Sequence, residues 1–322
     1  MDLASLRRGL RAGREPDVYL SFYNLREFPF SMGCDERFFY ESSMHAEALA
    51  SMLYTFQQRK GMVMVSGEVG TGKTLVGSML VSRLGAGCQA VVLNHPTQSD
   101  KQMLRALAAG LGIEAAVGVD RLELVERVEQ HLVRMYQRGR LVALIIDECQ
   151  DLNAKSLEEI RLLWNWERDG QKLLEILLIG QPELREKLRQ PRWEPLRQRI
   201  VLSYHLGSLS SGDTSSYILH RLNVACSNGR PNVDFTPQAF AEIYSATNGI
   251  PRLINVLCDN ALLVGYAKGI HQIDRDTVGE VLRDMTCWGL RVTGEEQDAS
   301  GTPSPAGEPD AACIGGNEEK SA

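Results

Sequence analysis

Eight consecutive residues, Gly67-Glu68-Val69-Gly70-Thr71-Gly72-Lys73-Thr74, satisfy the G-x-x-x-x-G-K-[ST] phosphate-loop pattern at every position. The chemistry is anion binding: three glycines let the backbone wrap closely, so that its N–H groups and a helix N-terminus face phosphate oxygens. Lys73 would neutralise the β- and γ-phosphates of a nucleoside triphosphate, and the Thr74 hydroxyl would ligate Mg²⁺. A second chemical group, Asp147-Glu148, lies 74 residues beyond Lys73. Asp147 is expected to hold Mg²⁺ and Glu148 to polarise an attacking water. A carboxylate can take that proton beside a phosphate whose charge is already neutralised. The pair points to an enzyme that activates water itself, rather than to a kinase or a GTPase. Should Glu148 not be the base, Gln150 or Asp151 is the next group to examine.

These residues need elements that place them. The apolar run Met62-Val63-Met64-Val65 predicts a strand leading into the loop, and a helix follows through Leu75, Val76 and Met79 to Leu84. Residues 141–146 form a continuous apolar run, as suits a central parallel strand buried on both faces, with the acid pair at its C-terminal end. Further strands are predicted at 89–94, 175–180 and 200–204. A helix begins near Ser43, and Ser99 or Asp100 caps another that carries Met103, Leu104, Leu107 and Leu111. Capping boxes are expected at Asp120 with Glu123 and at Ser156 with Glu159. Beyond the last strand the chain turns helical, over about 213–226, 237–246, 251–266 and 274–285. The predicted fold class is α/β, a P-loop NTPase with a five-stranded parallel sheet followed by a small helical lid. Four regions result: an Arg-rich arm over 1–18, the α/β core with an aromatic linker over 19–206, the lid over 207–292, and a disordered acidic tail over 293–322. The aromatic stretch 19–40 is expected to pack onto the core, with one edge lining the base pocket.

Composition narrows the function. From Thr293 onward seven acidic residues face Lys320 alone, which accounts for the whole net charge of −6. The rest of the chain is balanced, so no global basic field argues for nucleic acid. Seven dispersed cysteines without C-x-x-C spacing read as free thiols in a reducing compartment. No apolar run approaches the roughly 18–20 residues of a membrane span, and no signal peptide is apparent. The expected location is the cytoplasm.

Several motifs together resemble the AAA+ ATPases, and more narrowly the ExeA-like (GspA-like) general secretion family. They are Phe28-Pro29-Phe30, the Ser43-x-His45-x-Glu47-Ala48-Leu49 run, the phosphate loop and Gly180-Gln181-Pro182-Glu183-Leu184. Gln198-Arg199-Ile200, His220-Arg221-Leu222 and Gly249-Ile250-Pro251-Arg252-Leu253-Ile254-Asn255 extend them. The resemblance covers about residues 19–285. It implies ATP and Mg²⁺ as ligands, Gln181 as sensor 1 and Arg252 as sensor 2. It also implies that Arg199, or else Arg197, is an arginine finger reaching a neighbouring subunit, and hence a homo-oligomer. Tyr217 and Ile218 fall where lid residues approach adenine. Asn94 falls where related ATPases hold the catalytic glutamate in an inactive pose. The chain departs from secretion-type members, which carry a membrane span and a peptidoglycan-binding domain after the ATPase. The implied role is to drive or regulate a secretion, pilus or exopolysaccharide export system through membrane-associated partners. The alternative is a DNA-associated ATPase of the MuB/TniB transposition-helper type.

Overall fold

The computed structural model describes residues 19–94, 100–114 and 119–287. The Arg-rich arm, the acidic tail and the cap expected at Ser99 lie outside the described residues. Five parallel strands form the central sheet: β1 (Met62–Gly67), β2 (Cys88–Leu93), β3 (Leu141–Ile146), β4 (Glu175–Gly180) and β5 (Ile200–Leu206). Their spatial order is β2-β3-β4-β1-β5, so β1 lies between the fourth and fifth strands. The register pairs Ile146 with Leu178 and Ser66 with Gly180. Asp147, Gly67 and Gln181 therefore all emerge at the same edge of the sheet.

The continuous apolar strands divide their side chains between two layers, because successive residues point to opposite faces. Val63, Val65, Ile145, Leu177 and Ile179 pack against Leu49, Met52 and Phe56 of α1 (Ser43–Gln57) and against Val76 and Leu80 of α2 (Lys73–Leu84). Met62, Met64, Leu144, Ile146 and Leu178 face the other way, against α3 (Asp100–Gly110), α4 (Arg121–Gln137), α5 (Ala154–Leu163) and α6 (Pro182–Arg189). Each fully buried Leu or Ile contributes roughly 1.5–3 kcal/mol, and two such layers hold the sheet rigidly enough to fix its loop-bearing edge.

Two helix starts differ from the expected capping boxes. Asp120 does cap α4, accepting from the Leu122 N–H at 3.3 Å, but Glu123 pairs with Arg127 one turn on. The fifth helix begins two residues before Ser156, because Asn153 is the better acceptor and takes the Ser156 N–H at 2.9 Å. Glu159 is buried and lies 2.7 Å from Arg121, so it ties α5 to α4 instead of closing a box.

After β5 come α7 (Ser211–Ala225), α8 (Pro237–Thr247), α9 (Pro251–Lys268) and α10 (Arg275–Cys287). The aromatic stretch, expected on the α/β core, packs mainly with these helices. Tyr19, Tyr23, Leu25, Phe30 and Phe38 share one buried cluster with Ile218, Leu222, Ile254 and Leu257. Main-chain pairing reinforces this, since the Arg26 N–H donates to the Ala225 carbonyl at 2.8 Å. Only toward its end does the stretch turn to the core, where Phe39 packs against the cluster of α1 and α2.

Candidate active site

The phosphate loop is built by backbone conformation. Gly70 and Gly72 have φ of 84° and 93°, the left-handed region that only glycine adopts without strain. A Cβ at Gly70 would also come within 2.6 Å of the Arg252 Cβ. Gly72 caps α2 without a side-chain bond, which leaves the first-turn amides available to an anion. Lys73 is only 7% exposed, and its Nζ donates to the carbonyls of Gly67 and Glu68 at 2.8 and 2.7 Å. Burial lowers the Lys73 pKa below its ordinary value, while Glu148 and Asp147 oppose that shift. Neutral carbonyls are weak partners for a buried ammonium, so phosphate oxygens would be the stronger ones.

Beside it, the Thr74 hydroxyl donates to Asp147 Oδ2 at 2.6 Å. Asp147 is fixed from both sides: its N–H reaches the Leu93 carbonyl at 2.9 Å, and its Oδ1 accepts the Glu148 N–H at 2.8 Å. The Thr74 and Asp147 oxygens form a hard donor pair of the kind Mg²⁺ takes while keeping several of its own waters. Glu148 follows in the left-handed region at φ 53°. Its Oε2 accepts from Gln150 Nε2 at 2.7 Å. Asn94, the residue expected to hold Glu148, is exposed at the end of β2, and no hydrogen bond joins the two.

One pocket of about 370 Å³ joins these groups. At its phosphate end lie residues 69–75, Glu148, Gln181 and Arg252. Gln181 sits where β4 meets α6, and the Arg252 N–H donates to the Gly70 carbonyl at 3.2 Å, docking α9 on the loop. The far end is walled by the aromatic stretch and by Tyr217, Arg221 and Asn255. The Tyr217 hydroxyl donates to Asn255 Oδ1 at 2.8 Å and accepts from Arg221 at 3.0 Å. Ile218 does not reach the pocket. It is fully buried in the helical cluster, because adjacent helical residues diverge by about 100° around the axis.

Sequence reasoning gave Arg221, His45 and Gln150 no firm role. Arg221 is 4% exposed, and its guanidinium donates to the Pro29 carbonyl and, at 3.0 Å, to that of Ser31, above the Phe38 ring. A signal was present: Arg221 follows Tyr217 by four positions on the inward face of an amphipathic helix. His45 is buried against the loop, with its Nδ1 2.6 Å from Ser42 Oγ, and burial lowers its pKa.

Arg199 and Arg197 stay out of their own pocket. Arg199 precedes β5, seven residues before Leu206, which pairs with Gly67. At about 3.3 Å per residue this puts it roughly 20 Å from the loop, at the opposite edge of the sheet. Its guanidinium lies 5.3 Å from the Trp164 ring centre and donates to the Pro195 carbonyl. Arg197 is exposed.

A phosphate loop on β1, an acid pair at the end of β3 and a polar tip on β4 place the chain in the P-loop fold of the AAA+ class. The "AAA domain" family matches residues 57–188. Among solved structures, Cdc6p from Pyrobaculum aerophilum shares the fold with a TM-score of 0.63, at 17% identity over 85% of this chain and 74% of that one. The Aeropyrum pernix ORC2 protein does so at 0.58, with 17% identity, covering 84% and 72%. Within the class the chain is similar to the ExeA-like proteins. It is 38% identical over 280 residues to general secretion pathway protein A of Aeromonas hydrophila, across 87% of this chain. The chain spans half the length of that relative.

Proposed function

We propose that this chain binds ATP with Mg²⁺, hydrolyses it with Glu148 as general base, and uses the cycle to drive or regulate assembly of a cell-envelope export system from the cytoplasmic side. The observation that carries the chemistry is the convergence of Lys73, Thr74 and Glu148 on one pocket, with Asp147 held against Thr74 at 2.6 Å. Lys73 exchanges the two loop carbonyls for phosphate oxygens. Thr74 and Asp147 would hold the cation, which would supply positive charge against the phosphate oxygens. Glu148 takes the proton of the attacking water, while Gln181 and Arg252 orient the terminal phosphate. The export role is argued from the similarity to the general secretion protein. In keeping with action through partners, no helix among the described residues is long and apolar enough to cross a membrane.

The DNA-associated reading is weakened by charge, because residues before Thr293 balance their acidic and basic groups. Counterion release on DNA should therefore be small. A gel-shift titration with Mg-ATP at about 150 mM salt, where the Debye length is near 8 Å, should show weak binding. Tight, ATP-dependent binding there would instead put the transposition-helper reading first. Lys73→Ala serves as the control for nucleotide dependence.

A further inference from the structure

Gln150 does not line the pocket, yet both ends of its side-chain amide are engaged. Its Nε2 donates to Glu148 Oε2 at 2.7 Å, and its Oε1 accepts the Gln181 N–H at 2.9 Å. The turn that carries it is anchored to α6, because Lys187 donates to the carbonyls of Gln150 and of Leu152, the latter at 2.9 Å. A Cβ at Gly180 would meet Gln150 Oε1 at 3.2 Å, so the β4 tip closes over the amide. An amide pinned at both ends cannot rotate without breaking a bond. A carboxylate held through one oxygen by such a group keeps its other oxygen on a fixed bearing. Asn94 is exposed and makes no bond to Glu148, so Gln150 is what fixes the carboxylate.

We propose that Gln150 is a positioning residue for hydrolysis: it aims Glu148 into the pocket and ties that aim to Gln181, at the end where the terminal phosphate sits. The inference rests on Glu148 being the base. The test compares kcat, KM and equilibrium ATP affinity in wild type, Glu148→Gln, Gln150→Ala and Gln150→Glu. The last substitution keeps the size of the side chain and its acceptor for the Gln181 N–H, but it cannot donate to Glu148. A structural role would survive Gln150→Glu, whereas a positioning role would not. Both Gln150 variants should lose about 10- to 100-fold in kcat, the scale on which small misplacements act, with ATP affinity and KM within about twofold of wild type. Thermal unfolding without nucleotide checks that each variant is folded. Wild-type kcat in Gln150→Glu, or ATP affinity falling in step with kcat, would overturn the proposal. Wild-type turnover in Glu148→Gln would instead remove the base on which it rests, a different and recognisable result.

Discussion

Arg221 is a buried cation whose described acceptors are all neutral: two main-chain carbonyls and the Tyr217 hydroxyl. Its bonds fix the backbone around Ser31 as a wall of the pocket, far from the phosphates. Replacing it by Met should weaken ATP by roughly tenfold or more, the scale of losing one charge-assisted hydrogen bond. Affinity for inorganic tripolyphosphate, which has no base, should stay unchanged. Calorimetric titration of both ligands would show the difference, and a parallel loss of both would refute the assignment. The phosphate loop and the acid pair were legible in the sequence because phosphate chemistry demands fixed residue types at fixed spacing. Arg221 and Gln150 were not, since their partners Pro29 and Gln181 come from distant parts of the chain and only the fold brings them together.

Elements carry their own consequences, and β4 begins with one. Glu175 is 1% exposed, accepts the Gly61 N–H at 2.8 Å, and has its pKa raised by burial from 4.5 to about 8. The folded state therefore holds this proton more tightly than the unfolded chain does. The stability it contributes is fully present below pH 4.5 and is lost as pH rises through about 8. Glu175→Gln, which mimics the protonated form, should flatten that part of the stability profile and raise Tm more at pH 9 than at pH 5. Equal shifts at both pH values would contradict it. The apolar runs that became strands were easy to read, because burial on both faces leaves little choice of residue. Helix starts were harder. Ser156 has the composition of a cap, but Asn153 starts the helix three residues earlier by accepting the Ser156 N–H, and Glu159 pairs with Arg121. The aromatic stretch 19–40 could be read as packed, but its partners in the helical layer lie some 200 residues away and left no local trace.

For the whole molecule, the position of Arg199 decides whether one chain holds a complete site. It lies at the opposite edge of the sheet from its own loop, so the proposed finger would have to act on a neighbour's nucleotide. Arginine fingers are worth about 10³–10⁵ in rate in other phosphoryl-transfer systems. Specific activity of the wild type should accordingly rise with protein concentration and collapse in Arg199→Ala, and mixing that variant with Glu148→Gln should restore some activity. Activity independent of concentration, with an active Arg199→Ala protein, would make Arg199 a structural residue held by Trp164 and the Pro195 carbonyl. The hydrolytic role of the pocket is open to a more direct measurement. Protein loaded with Mg-ATP, incubated at a concentration where the wild type is active, and then stripped of its nucleotide should yield ADP from the wild type and intact ATP from Glu148→Gln. Equal ADP from both proteins would contradict Glu148 as the base, and intact ATP from both would contradict hydrolysis by this site.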